Sequence, residues 1–209
     1  MGELKIGRMT MGPVATNCYF VYDSDSMNAV VFDVPCDGKG IYTRLKDNGI
    51  NVSGVLLTHG HFDHIMGANE LRQAASIKIY ACEDEQDVCE NTHNNCTDQT
   101  GRLYTVKCNK YFKDGDEIDI DGIKCRLIET PGHTKGSCCY YFENEKILIS
   151  GDTLFCGSVG RSDLPTGSEN TLIRSIKEKL MCLPDDVKVY PGHGDETTIG
   201  YERKYNPFL

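Results

Sequence analysis

The sequence predicts a mixed α/β fold in which helices cover a core of strands. Short apolar runs rich in Val, Phe and Tyr alternate with turn signals along the chain. The runs fall into two groups, each followed by helical segments, the pattern of layered sheet and helix. No linker, charge block, low-complexity segment or strong internal repeat interrupts this order, so residues 1–209 read as one domain. A chain of this length can bury a substantial core without disulfides or a structural metal. Its 39% hydrophobic and 25% charged content excludes disorder.

The elements follow in chain order. KIGRM (5–9), CYFVYD (18–23) and AVVFDV (29–34) read as strands. GKGIYTRLKDNG (38–49) places Ile41 and Leu45 at helical spacing and ends on Gly49, a helix stop. VSGVLLT (52–58) reads as a buried strand, and HIMGANELRQAA (64–75) as a helix turning Ile65, Leu71 and Ala75 inward. IKIYA (77–81) is a further strand, followed by a helix in the acidic stretch EDEQDVCEN. Residues 91–115 lack periodicity and read as a loop excursion. EIDIDGIKCRLIE (117–129) is a hairpin turned at Asp121-Gly122, and CCYYFENEKILIS (138–150) a second, turned near Asn144. SENTLIRSIKEKLMCL (168–183) carries an apolar stripe at Leu172, Ile173, Ile176, Leu180 and Leu183 behind a Ser168 N-cap. VKVY (187–190) is a final short strand.

Charge and targeting signals narrow the function classes. A formal net charge of −9 argues against a nucleic-acid partner, which favours a basic face. The start MGELKIGRMTMGP lacks a signal-peptide apolar region, and Ile6 stands where a myristoylation motif wants Ser or Thr. No stretch approaches the roughly 20 apolar residues of a membrane span. A cytoplasmic protein that binds neither nucleic acid nor membrane is expected. The eleven cysteines are odd in number and form no CxxC, so they read as reduced, buried small hydrophobes. Cys82, Cys89, His93 and Cys96 could ligate a soft metal, but their spacing fits no usual zinc pattern, and a helix and loop that happen to carry cysteines is preferred.

The other histidines carry the chemistry. His59, His61 and His64 crowd into LLTHGHFDHIMG with Asp63, so half of the six histidines occupy six positions. His133 follows a strand in TPGHTKGS, His193 another in YPGHGDE, and Asp152 ends the strand of LISGDTLF. All seven residues share one setting, a strand end flanked by glycine, where loops on a rigid sheet hold catalytic groups. One such histidine alone would usually be a polar loop or core residue. Five with two aspartates in a repeated setting point to metal. Neutral imidazole and carboxylate suit zinc, iron or manganese, and seven donors suit two ions sharing a carboxylate with one bridging oxygen nucleophile. His59 and His61 point the same way if the backbone is extended, and Asp63 and His64 turn toward a second ion as the helix begins.

THGHFDH (58–64), PGHT (131–134), SGDTLF (150–155) and PGHG (191–194), in that order, resemble the metallo-β-lactamase-fold hydrolases. The resemblance runs from NCYFV (17–21) to NPFL (206–209). It implies a four-layer αββα sandwich with metals at one edge. His59, His61 and His133 would bind the first ion, Asp63, His64 and His193 the second, with Asp152 bridging. Zinc β-lactamases usually place a cysteine in the second site, where this chain offers Asp152. GDTLF followed by GSVGRSDLPTG (157–167) resembles instead the glyoxalase II group, and the ending PGHGDETTIGYERKYNPFL its short bacterial branch. The helical C-terminal segment that supplies much of the glutathione site in full-length glyoxalase II enzymes is expected to be absent.

The resemblance therefore implies a hydrolase that cleaves a small-molecule hydroxyacyl thioester such as S-lactoylglutathione. Two divalent cations, zinc first and iron or manganese as alternatives, would hold a bridging hydroxide that Asp63 orients. Arg161 is a candidate for recognising a substrate carboxylate, with an ion pair to Asp163 as its structural alternative. A mononuclear-iron persulfide dioxygenase on the same fold is the other functional reading. The sequence leaves the oligomeric state open.

Overall fold

Three antiparallel strands begin the chain: β1 (Leu4–Met11), β2 (Thr16–Asp23) and β3 (Asn28–Phe32), with β1 and β2 in register from Leu4 opposite Asp23 to Met11 opposite Thr16. The computed structural model describes residues 2–209. After α1 (Gly38–Asp47) the pairing becomes parallel: β4 (Asn51–Leu56) lies beside β3, β5 (Lys78–Cys82) beside β4, and β6 (Lys110–Phe112) beside β5. Between β4 and β5 run α2 (Phe62–Ile65) and α3 (Ala68–Ala75), and α4 (Gln86–Glu90) follows a 3₁₀ turn over Glu83–Glu85. These six strands form one sheet in sequence order.

The second sheet also has six strands. β7 (Glu117–Ile120), β8 (Ile123–Glu129), β9 (Cys138–Phe142) and β10 (Ile147–Gly151) make an antiparallel meander. Asp121 and Gly122 both take positive φ at the first turn, as a two-residue hairpin of this type requires. A separate small hairpin, β11 (Leu154–Phe155) with β12 (Ser158–Val159), leads to α5 (Glu169–Ser175). β13 (Lys188–Pro191) then pairs parallel to β10, and β14 (Thr197–Thr198) closes the sheet before α6 (Ile199–Tyr205).

Three apolar clusters separate four layers. Ile41 and Leu45 of α1 and Leu71 of α3 pack on Val31, Val55 and Ile79 of the first sheet. Val30, Phe32 and Leu56 meet Leu127, Tyr140, Phe142 and Ile149 between the sheets. Leu172, Ile176, Leu180 and Ile199 cover Leu148 and Val189 on the far face of the second sheet. The result is an αββα sandwich. Each large side chain fully buried in it contributes about 1.5–3 kcal/mol relative to exposure. Tyr140, fully buried, donates its hydroxyl to the Leu57 carbonyl at 2.7 Å, so the inter-sheet core loses nothing to an unpaired polar group.

Several expected elements are modified. The helix expected over 64–75 is broken at Met66-Gly67, because the Gly67 N–H bonds the Val34 carbonyl at 2.9 Å and a Cβ there would stand 2.8 Å from Cys36. The strand expected to reach Val34 ends at Phe32, and Asp33 takes a positive φ. The helix expected over 168–183 becomes a π turn over Ile176–Leu180, although its stripe is buried except for the half-buried Ile173. Ser168 is at the N-cap position, but its hydroxyl donates to Thr171 Oγ1 and makes no cap to the backbone. Within residues 91–115 lie β6 and a 3₁₀ turn over Thr97–Gln99. No helix among the described residues is long and apolar enough to cross a membrane.

Candidate metal centre

The parallel strands β3, β4, β10 and β13 end at one edge of the sandwich, and every sequence-selected metal donor lies at or just beyond such an edge. Ligands of open α/β sheets collect outside these carboxyl ends. β4 delivers His59, His61, Asp63 and His64, β10 delivers Asp152, and β13 delivers His193. His133 arrives on the loop between β8 and β9, which α5 pins: the Ser168 N–H bonds the Gly132 carbonyl at 2.8 Å and Ser175 Oγ donates to the Pro131 carbonyl at 2.8 Å. The two sheets are stitched at this edge by Asn17, whose side-chain amide donates to the Pro191 and Gly194 carbonyls, both at 3.0 Å.

The donor atoms converge in triads. Those of His59, His61 and His133 lie within 4.8 Å of one another, as do those of Asp63, His64 and His193, and those of His59, His64 and Asp152. Asp152 stands between the first two sets, with Oδ2 3.7 Å from His133 Nε2 and 3.4 Å from His193 Nε2, and Oδ1 3.4 Å from His64 Nε2. Gly192 permits this approach, since a Cβ there would stand 2.2 Å from Asp152 Oδ1 and 2.8 Å from the His64 ring.

Hydrogen bonds behind the rings set their orientation and tautomer. His64 Nδ1 donates to Asp33 Oδ2 at 2.8 Å, His133 Nδ1 to the Arg161 carbonyl at 2.7 Å, and His193 Nδ1 to the Val14 carbonyl at 3.2 Å. Thr58 Oγ1 donates to Asp33 Oδ2 at 2.7 Å and so accepts from His59 Nδ1 at 3.1 Å. Four histidines thus use Nδ1–H as an anchor and turn Nε2 toward the cluster. His61 instead directs Nδ1 to it, 2.8 Å from His133 Nε2. Asp63 is held by the Thr16 hydroxyl at 2.9 Å.

The two histidine sets differ electrostatically. Burial holds His59, His61 and His133 below the usual imidazole range, His61 down to about 3. Burial also opposes charge on His64 and His193, but Asp63 and Asp152 outweigh it and raise both, His193 to about 9. Asp63 and Asp152 are held well below the ordinary carboxylate range: burial would raise them, and His64 and His193 prevail.

His64 Nε2 and Asp152 Oδ1 are buried without a hydrogen-bond partner although they face each other, and His61 Nε2 also lacks one. The unpaired His64 Nε2 and Asp152 Oδ1, facing each other at 3.4 Å among converging imidazoles and carboxylates, fit ligands of a divalent cation. The cysteine group does not assemble: His93 is exposed and paired with Asp98, and no metal-sized cluster among the described residues includes Cys82, Cys89 or Cys96.

Two residues escaped the sequence reading. Asp33 joins His64 to Thr58 and, through it, His59; the signal was available, since it ends an apolar strand in AVVFDV as the selected residues end theirs. Glu85 is wholly buried behind the ligand loops and carried no such signal. Arg161 lies at the site, but its guanidinium makes a two-point pair with Asp163, both bonds 2.8 Å, so its backbone carbonyl is what touches a donor.

A pocket of about 420 Å³ opens over the donors, with Val14, Phe62, Phe155 and Leu164 among its walls. An apolar cleft of about 450 Å³, which includes Pro13, Pro35 and Met66, shares Val14, Phe62 and Asp63 with it.

The family described as the metallo-beta-lactamase superfamily matches residues 11–193. The chain is 37% identical to the probable metallo-hydrolase YqgX of Bacillus subtilis over 208 residues, 99% of this chain and 98% of that one. It is 33% identical to the hydroxyacylglutathione hydrolase GloC of Haemophilus influenzae over 199 residues, 92% of each chain. The BLEG-1 B3 metallo-beta-lactamase superposes with a TM-score of 0.92 at 37% identity, covering 98% of this chain and 99% of that structure.

Proposed function

The chain belongs to the metallo-beta-lactamase superfamily and is a metallo-hydrolase of it; from that premise we propose that it hydrolyses hydroxyacyl thioesters of the S-lactoylglutathione kind. The observation that carries the reading is the position of Asp152 between two complete triads, an arrangement suited to two ions and one shared carboxylate. The likeness to GloC supports a thioester as the substrate class. His59, His61 and His133 would hold the first ion, and Asp63, His64 and His193 the second, with zinc the preferred metal. When bound, such ions supply Lewis acidity toward the substrate carbonyl and a water acidified to ionise near neutral pH.

The chain's own residues do the rest. Thr16 fixes one oxygen of Asp63, so the carboxylate stays oriented toward the cluster and can direct the attacking water. The Nδ1–H anchors hold four imidazoles against rotation, which preserves geometry through the reaction. The pocket and the apolar cleft share Val14, Phe62 and Asp63, which gives the two arms of a thioester two adjoining cavities to occupy.

The test is the steady-state hydrolysis of S-lactoylglutathione by zinc-loaded protein. A rate that disappears on chelation and returns with metal is expected. No rate from a fully loaded sample would overturn the thioester reading, and oxygen uptake with a persulfide or opening of a β-lactam would then identify the chemistry instead. Arg161→Ala is expected to raise KM for an anionic thioester several-fold while kcat holds, because the backbone carbonyl that anchors His133 remains. Unchanged KM would remove the guanidinium from substrate recognition.

A further inference from the structure

We propose that Glu85 is a positioning residue for the three histidines of the first ion and for none of the ligands of the second. Its side chain is wholly buried, and its two oxygens accept three hydrogen bonds. Oε1 accepts the Gly60 N–H at 2.7 Å. Oε2 accepts the Thr134 hydroxyl at 2.8 Å and the Gly136 N–H at 3.0 Å.

Gly60 lies between His59 and His61, and Thr134 follows His133 directly. One carboxylate therefore ties together the two separate loops that carry the whole first triad. The second triad is anchored elsewhere: His64 on Asp33, His193 on the Val14 carbonyl, and Asp63 on Thr16.

The packing is built around the contact. A Cβ on Gly136 would stand 2.2 Å from Glu85 N and 2.3 Å from the Asp84 carbonyl carbon, so only glycine lets the 3₁₀ turn over Glu83–Glu85 press against the His133 loop. Lys135, the cation in that loop, directs its ammonium to Asp87 at 2.9 Å. Burial pushes the Glu85 carboxyl up to about 8 even though its three donors pull it down. A buried carboxylate without a contacting cation is costly unless its hydrogen bonds are complete.

The inference rests on the proposal that these histidines hold a metal, and the experiment separates the two. Zinc affinity is measured on the full-length chain by competition with a chelator, alone and in two backgrounds. His193→Ala weakens the second site and reports the first, and His61→Ala does the converse. Failure of the unsubstituted protein to take up zinc would remove the ligand assignment itself.

In the His193→Ala background, Glu85→Gln is expected to lower first-site affinity about tenfold, since its amide NH₂ must oppose one of the three donors, and Glu85→Ala about 100-fold. In the His61→Ala background both should stay within about threefold of their parent, because an orienting partner acts on its own ligands. First-site affinity unchanged by Glu85→Gln, or equal losses at both sites, would overturn the proposal. Should the Glu85 variants fail to fold, Thr134→Val removes a single bond and decides the matter. A several-fold loss at the first site alone upholds the role, and no loss refutes it.

Discussion

Asp152→Ala is expected to lower thioester hydrolysis by about 10³-fold or more and to reduce bound zinc from two ions per chain toward one. Asp152 reaches both triads, through His133 on one side and His64 and His193 on the other. Under the two-ion proposal its removal would take a shared ligand from both cations. Lewis-acid stabilisation is worth several kcal/mol, and about 4 kcal/mol corresponds to a thousandfold in rate. The buried His64 imidazole would also lose one of the carboxylates that oppose its desolvation. Asp152→Asn separates these effects, since it keeps the shape and removes the charge. Elemental analysis after dialysis, paired with initial rates, checks the prediction. Full retention of both by Asp152→Ala would sink the two-ion reading.

The convergence of these side chains was legible because the chemistry of a metal site would restrict both residue type and placement. Imidazoles and carboxylates beside glycine just past strand ends are rare in combination, and His59, His61, His133, Asp152 and His193 all stand there, with Asp63 and His64 following in the first turn of α2. The hairpin at Asp121-Gly122 and the helix ended by Gly49 were legible for the same kind of reason: both turn on backbone conformations glycine accepts readily. Asp33 was missed although its setting matched, because it lies outside every histidine motif and acts through Thr58 and His64.

Glu85 could not be read at all. In EDEQDVCEN it is one of several acidic residues on what sequence presents as a solvated helix, and only the return of the His133 loop across that turn buries it. The break at Met66-Gly67 likewise depends on a tertiary bond to Val34. Strands β11, β12 and β14 have two residues each, too few to show any alternation. In α6, whose buried residues are Ile199 and Glu202, the stripe that would announce a helix is missing. Its packing rests on a buried polar anchor instead: Glu202 accepts the Gly157 N–H at 3.0 Å and the Asn206 amide at 2.7 Å, which fastens the β11–β12 turn beside the pocket.

The opposite protonation of the two triads leads to the second large effect, a pH dependence confined to one ion. In the metal-free protein, burial keeps His59, His61 and His133 neutral above the ordinary imidazole value, so the first ion displaces almost no proton there. His193, raised to about 9, and His64, raised as well, are protonated at neutral pH because Asp63 and Asp152 outweigh their burial. The sign follows from linkage. Raised histidines stabilise the metal-free fold fully below the unfolded value near 6.5, and that contribution is lost as pH climbs through their raised values, about 9 for His193. A second ion must expel those protons, so its affinity is expected to rise about tenfold per pH unit for each proton displaced, between roughly pH 6.5 and 9. First-ion affinity should change little over the same interval. Zinc titration calorimetry in buffers of different ionisation enthalpy, at pH 7 and pH 8, measures the released protons directly. A second step that releases none, or a first step with the steeper pH dependence, would show that Asp63 and Asp152 do not hold His64 and His193 in the charged form.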